Sequence, residues 1–262
     1  MVQGFTFETQ SIMPETGTLI VTGASRGIGA AIARLAGRRG YAVAVNYRGG
    51  ESEAKKVASE IQGIGGRATA IRADISREEE ILRLFQTAER ELGPIKALVN
   101  NAGITGGFAR VENVTAEAIG NTFAVNVTGA ILCAREAVRR MSTKRGGSGG
   151  AIVNISSIAV RTGAASEWVH YAASKGAMDS FTVGLAREVA TEGIRVNAVA
   201  PGLVDTEIHA ANGEPGRLQR LLPTIPMNRP GQPHEVAEAV LWLLSPAASY
   251  VTGSILEIGG GR

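Results

Sequence analysis

A chain of 262 residues with 44% hydrophobic content can bury a substantial core, and its net charge of +3 comes without the Lys/Arg block expected of a nucleic-acid binder. One cysteine excludes an internal disulfide and any multi-cysteine metal site, and no run reaches the ~20 apolar residues of a membrane helix. The N-terminus lacks the basic start and apolar core of a signal peptide, so a cytoplasmic chain without membrane attachment is expected.

Residues 1–16 show no clear period and contain Gly4 and Pro14, which predicts a flexible arm; Met13 is a candidate natural start. Regular alternation begins at Thr18. Strands are predicted at Thr18–Val21, Tyr41–Val45, Ala68–Arg72, Ala97–Val99, Ala151–Ile155, Ile194–Val199 and Ser254–Ile258. Helices are predicted between them: Ala30–Arg39, Glu51–Ile61, Arg77–Glu91, one long helix from the N-cap Thr115 to Met141, Tyr171–Thr191, and one opened by Pro233. The third carries Ile81, Leu84, Phe85 and Ala88 at helical spacing. This order predicts an α/β fold: a single doubly wound Rossmann domain over 17–262, a seven-stranded parallel sheet flanked by helices on both faces. Right-handed crossovers then bring the loops after the strands to one edge. Cys133, among Ile131, Leu132 and Ala134, reads as buried packing.

Gly23, Gly27 and Gly29 lie between the first strand and first helix, where backbone amides and a helix N-terminus suit a pyrophosphate. The spacing is Gly-x-x-x-Gly-x-Gly, not the commonest dinucleotide fingerprint. Two hydroxyls, Ser156 and Ser157, end the fifth strand. Beyond them Tyr171 and Lys175, four residues apart, share one helical face. A fixed ammonium lowers the pKa of a nearby phenol and makes it a usable proton donor or acceptor. Asn126 is locally unfavourable inside a helix carrying Phe123, Val127 and Ile131, which also hints at function; a solvated or locally satisfied polar residue is the other reading.

Thr22-Gly-Ala-Ser-Arg-Gly-Ile-Gly29, Asn100-Asn-Ala-Gly103, Tyr171-x-x-x-Lys175 and Pro201-Gly202 occur in one order across the chain. In that order and spacing the sequence resembles the short-chain dehydrogenase/reductases over about residues 18–261. It looks closest to bacterial β-ketoacyl-carrier-protein reductases and glucose dehydrogenases. The resemblance implies that Tyr171 is the general acid/base. It implies that Lys175 tunes Tyr171 and binds the nicotinamide ribose, that Ser157 orients substrate, and that Asn126 holds a water of the proton relay. It extends the cofactor set to Ser25, Arg26, Ile28, Asp74, Ile75, Asn100, Ala102, Gly103, Pro201, Gly202 and Thr206, the last also a candidate helix cap. A homotetramer is implied as well, with Val236, Val240, Leu243 and Ile255 suiting either core or interface. The Ser157–Tyr171 interval is one residue longer than in those reductases. Strand alternation sends Ser156 and Ser157 to opposite faces, and the family register favours Ser157.

Asn46-Tyr47-Arg48 follows the second strand where an NAD site usually has an acid, and no acid comes before Glu51. Asn and Arg would accept a 2′-phosphate, so NADP(H) is expected, with NAD(H) possible and Arg48 otherwise a solvated loop residue. The expected activity is hydride transfer between that nicotinamide and a carbonyl or secondary alcohol, with no metal. A non-catalytic dinucleotide-binding sensor on the same fold is the alternative. The expected pocket walls, 104–110, 158–170 and 203–227, include Trp168, His170 and His209. The basic residues Arg217, Arg220 and Arg229 of the substrate loop 203–231 suggest an acyl-carrier-protein patch.

Overall fold

The computed structural model describes residues 17–206 and 216–262; the expected arm at 1–16 lies outside them. The elements are β1 Thr18–Val21, α1 Gly27–Arg38, β2 Ala42–Tyr47, α2 Glu51–Gly63, β3 Ala68–Arg72, α3 Glu78–Leu92 and β4 Ile95–Asn100. They continue as α4 Ala116–Phe123, α5 Ala130–Met141, β5 Gly150–Ile155, α6 Ala159–Thr162, α7 Val169–Val189 and β6 Ile194–Pro201. Last come α8 Arg217–Leu221, α9 Pro233–Leu244 and β7 Ile255–Ile258.

All seven strands join one parallel sheet in the order β3-β2-β1-β4-β5-β6-β7. Their alternating side chains divide the core. Leu19, Val21, Val43 and Val45 pack with apolar residues of α1, α2 and α9. Ile20, Ala42 and Ala44 pack on the opposite face with α3, α5 and α7. The chain moves outward from β1 through β3, then returns to place β4 on the other side of β1. The reversal leaves a crevice beyond the ends of β1 and β4, the usual ligand position in such sheets.

Local signals read from the sequence operate as written at several ends. Thr115 Oγ1 accepts a hydrogen bond from the Ala118 amide at the start of α4 (3.1 Å). Pro233 occupies the first turn of α9, where Glu235 accepts from the Gln232 amide (2.7 Å). Cys133 is fully buried, and burial pushes its thiol pKa well above the ordinary value.

Several elements depart from their expected form or bounds. The long helix is not uniformly α: residues Ala124–Gly129 form a π-helical segment between α4 and α5, centred on the unfavourable Asn126. Helix α7 starts at Val169, so Tyr171 lies inside its first turn. Strand β2 runs from Ala42 to Tyr47, and β6 keeps Pro201, whose missing N–H matters little at the strand end. Val236, Val240 and Leu243 are buried in the chain's own core, which leaves only Ile255 of that set exposed.

Candidate active site

A cleft of about 740 Å³ runs along the sheet edge, from the glycine turn and Asp74 to Tyr171, Trp168 and Arg217. Its first half is built on the β1–α1 turn. Gly23 has φ +63°, and a Cβ there would lie 2.9 Å from Ala102 Cα. A Cβ on Gly29 would come within 2.5 Å of the Gly23 carbonyl oxygen, so the first turn of α1 closes this tightly only with glycine. Arg26 is the N-cap of α1 but its side chain does not cap the helix amides, and the first turn holds no acidic residue. The N-terminus of α1, with Ser25, Gly27 and Ile28 lining the cleft, is therefore left to attract an anion.

Buried side chains from neighbouring strands hold the turn. Asn46, 1% exposed, accepts from the Gly23 amide (3.2 Å) and donates to the carbonyls of Ile71 (3.3 Å) and Ala73 (3.1 Å). Thr22 Oγ1 accepts from the amides of Asn101 and Ala102, each at 3.0 Å. Asn101 Nδ2 donates to the carbonyls of Thr22 (2.9 Å) and Gly23 (3.0 Å).

These contacts redistribute the expected cofactor set. Gly23, Ser25, Arg26, Gly27, Ile28, Gly29, Arg48, Asp74, Ile75, Ala102, Gly103, Pro201, Gly202 and Thr206 all line the cleft. Asn46 lines it too, but both polar atoms of its side chain are engaged, by the glycine turn and by the end of β3, which leaves no free donor for a phosphate. Tyr47 points the other way, into the apolar cluster with Ala54 and Val57, because alternation opposes it to Asn46. Asn100 does not line the cleft; it donates to Ala130 O (3.0 Å) and Asn154 Oδ1 (2.9 Å), tying β4 to the start of α5 and to β5. Its neighbour Asn101 reaches the cleft instead. Arg48 is 66% exposed, with its guanidinium 3.9 Å from the Asp74 carboxylate. Against the cost of burial, hydrogen bonds from Ser76 and the charge of Arg48 hold the Asp74 pKa below its ordinary value. Glu53, not singled out in the sequence, also lines this end.

The second half gathers Ser157, Tyr171 and Lys175. Ser157 Oγ accepts from the Ala159 amide (3.1 Å) and its hydroxyl pulls the Tyr171 pKa down, while Ser156 faces the other way toward Asp179. Ser156 Oγ influences that carboxyl without reaching full hydrogen-bond geometry. Lys175, 4% exposed, donates to Ile155 O at 2.6 Å, and its Nζ lies 5.7 Å from the Tyr171 ring centroid. Burial pulls the Lys175 pKa down to about 8, with Asp179 opposing. Burial pushes the Tyr171 phenol above its ordinary pKa, while Ser157 and Arg217 pull it back.

Asn126 Oδ1 accepts from the Ile104 amide (2.8 Å), and its Nδ2 donates to Ile104 O (2.8 Å) and Ser174 Oγ (3.0 Å). It pins the π segment to the loop after β4 and to α7. A Cβ built on Gly103 would lie 3.3 Å from Asn126 Oδ1 and 3.5 Å from Lys175 Nζ, so the two side chains meet at that glycine.

This arrangement joins an anion seat to a Ser–Tyr–Lys wall, and the chain that carries it is similar to known proteins along most of its length. The family model described as enoyl-(acyl carrier protein) reductase matches residues 23–262. The chain is 54% identical over 243 residues to "Uncharacterized oxidoreductase YgfF" of Escherichia coli, covering 93% of this chain and 98% of that one. It is 40% identical to glucose 1-dehydrogenase 2 of Bacillus subtilis, with 93% of each chain covered. The chain belongs to the short-chain dehydrogenase/reductase family. It is an oxidoreductase of that family, whose members bind a nicotinamide dinucleotide. A crystal structure of 3-ketoacyl-(acyl-carrier-protein) reductase from Brucella melitensis complexed with NADH superposes with a TM-score of 0.87. That pair is 32% identical, with 95% of this chain and 99% of that one covered. The residues present fit such a cofactor: no side chain caps the α1 N-terminus, and the turn before it lines the cleft where a pyrophosphate would lie.

The sequence singled out the arginines of the 203–231 segment as a possible carrier-protein patch. The structure spends them otherwise. Glu167 binds Arg217 and Arg220, and Glu235 binds Arg229 through both guanidinium nitrogens (2.8 and 2.6 Å). His170 is buried beside Gly106 and Thr122 and does not line the cleft. His209 lies outside the described residues. Sequence reasoning missed Asn101, Glu167 and Asp179. Asn101 stood within the Asn-Asn-Ala-Gly motif, but nothing local marked the other two.

Proposed function

We propose that this protein is an NADP(H)-dependent oxidoreductase that interconverts a carbonyl and a secondary alcohol, with Tyr171 as general acid/base. The convergence of Ser157, Tyr171 and Lys175 on one wall of the cleft that begins at the α1 N-terminus carries this reading. When bound, the nicotinamide supplies or accepts the hydride. The α1 N-terminus and the surrounding glycines seat its pyrophosphate. In the reductive direction, Ser157 Oγ and Tyr171 Oη hold the substrate oxygen where negative charge develops. The Tyr171 Oη proton passes to that oxygen, and the phenol recovers it from the Lys175 side. The Asn126 side chain is committed to Ile104 and Ser174, so a relay water would use its main chain, where the π turn disturbs the helical ladder.

NADP(H) is favoured because no carboxylate stands at 46–48 and Arg48 is an exposed cation at the cleft rim. Glu53 and Asp74 set a limit to that preference. A homotetramer in the cytoplasm completes the proposal. Trp242, Tyr250 and Ile255 are exposed near β7, an edge strand paired only with β6. Light scattering should then give an oligomer; a stable monomer would refute it. Among the described residues no helix is long and apolar enough to cross a membrane.

The test is NADPH and NADH oxidation against β-ketoacyl thioesters, diketones and quinones, with aldoses assayed in the oxidative direction, and Tyr171→Phe as control. NADPH-dependent turnover that Tyr171→Phe abolishes is the expected result. Failure to bind either cofactor would overturn the proposal.

A further inference from the structure

We propose that Glu167 and Arg217 are positioning residues for proton transfer: together they tie the three walls of the substrate half into one unit, and they hold a guanidinium on Trp168, whose indole meets the Tyr171 ring. The inference rests on the reading of Tyr171 as the acid/base.

Glu167 is the common anchor. Its carboxylate accepts from Arg217 Nε (3.1 Å) and from a terminal Arg217 nitrogen (2.7 Å), and its other oxygen accepts from Arg220 (2.7 Å). Both arginines come from α8. The Glu167 carbonyl accepts from the Ala109 amide (3.0 Å), which joins the loop after β4 to the loop before α7. Three segments far apart in the sequence therefore meet on one residue. Arg217 is only 8% exposed, and a buried fork bonded through two nitrogens holds orientation far better than a surface ion pair.

From that anchor Arg217 places its guanidinium carbon 4.2 Å from the Trp168 ring centroid. The indole in turn meets Tyr171 edge-on, with centroids 6.4 Å apart, and Phe108 in the same manner at 6.2 Å. The segment bearing these groups is strained: Ala164 (φ +46°) and Ser166 (φ +62°) hold left-handed backbone without being glycine. Such outliers persist where the surrounding structure over-determines them, often at functional sites.

The groups facing the phenol are Ser157 from the turn after β5, Lys175 from its own helix, and Arg217 from α8. Glu167, Arg220 and Arg262 act at the next remove, through Arg217. With Lys175 engaged by Ile155, Arg217 is the cation that lowers the Tyr171 pKa, and Glu167 carries one negative charge against two arginines.

The experiment follows Tyr171 ionisation by NMR of protein labelled with ring-¹³C tyrosine, which has four tyrosines to resolve, assigned with Tyr171→Phe. Wild type is compared with Arg217→Met, Arg217→Lys and Glu167→Gln, and the pH profile of turnover is recorded alongside. Arg217→Met is expected to move the ionisation up by about half a pH unit or more, and Arg217→Lys to restore most of the shift. Glu167→Gln leaves the arginines uncompensated and is expected to move it down; it decides the matter if Arg217→Met does not fold. Curves that coincide with wild type, including curves with no ionisation before the fold is lost, overturn the inference. Undiminished turnover in Tyr171→Phe would instead overturn the reading of Tyr171, and it is seen without reference to Arg217.

Discussion

The two halves of the cleft are built by different means. The glycine-turn half is made of backbone and small side chains, and the groups that brace it, Asn46, Thr22 and Asn101, bond to main-chain atoms of adjacent strands. The substrate half is made of long side chains from three distant segments, fastened through Glu167. A turn braced by strands inherits the rigidity of the sheet. A wall assembled from side chains can be refitted by changing a few of them, so the same cofactor half can serve many substrates.

If the halves are separable, damage to one should leave the other working. The largest expected effect is on chemistry alone: Tyr171→Phe should cut turnover by about 10²–10⁴-fold while cofactor Kd, measured by calorimetry, stays within about twofold. A matching collapse in cofactor binding would show that the halves fold as one. Ser157→Ala should lower kcat by about 10²-fold with a smaller change in KM, because the hydroxyl acts mainly as charge develops on the substrate oxygen.

The reverse experiment strikes the brace. Asn46→Ala strands the Gly23 amide and two buried carbonyls and should cost about 3 kcal/mol of stability in urea melts. It should weaken NADP(H) and NAD(H) alike, since its role is to shape the turn. Arg48→Ala should act more narrowly, reducing NADP(H) affinity about tenfold, or about 1.4 kcal/mol, and sparing NAD(H). Equal losses for both cofactors would remove Arg48 from the specificity argument.

The smallest effect is a pH dependence. The Lys175 pKa is about 8 in the folded chain against an ordinary 10.5. Below about pH 8 the buried ammonium exerts its full cost. Between those values the folded state sheds a proton that the unfolded state keeps, so the contribution of this group to stability rises with pH. Any stability advantage of Lys175→Met in urea melts at pH 7 should therefore shrink by pH 10. A constant difference would mean that Lys175 titrates normally.

The cofactor half was legible because its signals are local. Gly23, Gly27 and Gly29 had to lie between a strand and a helix, and hydrophobic alternation located both. Tyr171 and Lys175 were legible because four residues along a helix is a spatial statement in itself. Errors began where a residue's face or partner mattered. Asn46, Tyr47 and Asn100 were all expected at the cofactor, yet their side chains end on strand carbonyls, in the apolar core and on Asn154. Asn126 was marked by its poor helix propensity, but the π segment that accommodates it was not foreseen.

The sequence by itself determined the alternation of seven strands with helices, the crevice where strand order reverses, and the residues of the Ser–Tyr–Lys wall. Those features depend on short periods and on near neighbours along the chain. The tertiary structure alone decided that Lys175 would bond Ile155 O, that Asp179 would lie behind Ser156, and that Arg217 would sit on Trp168. Each of these joins residues brought together only by the fold, where burial sets the pKa and the available partners set the direction of a side chain.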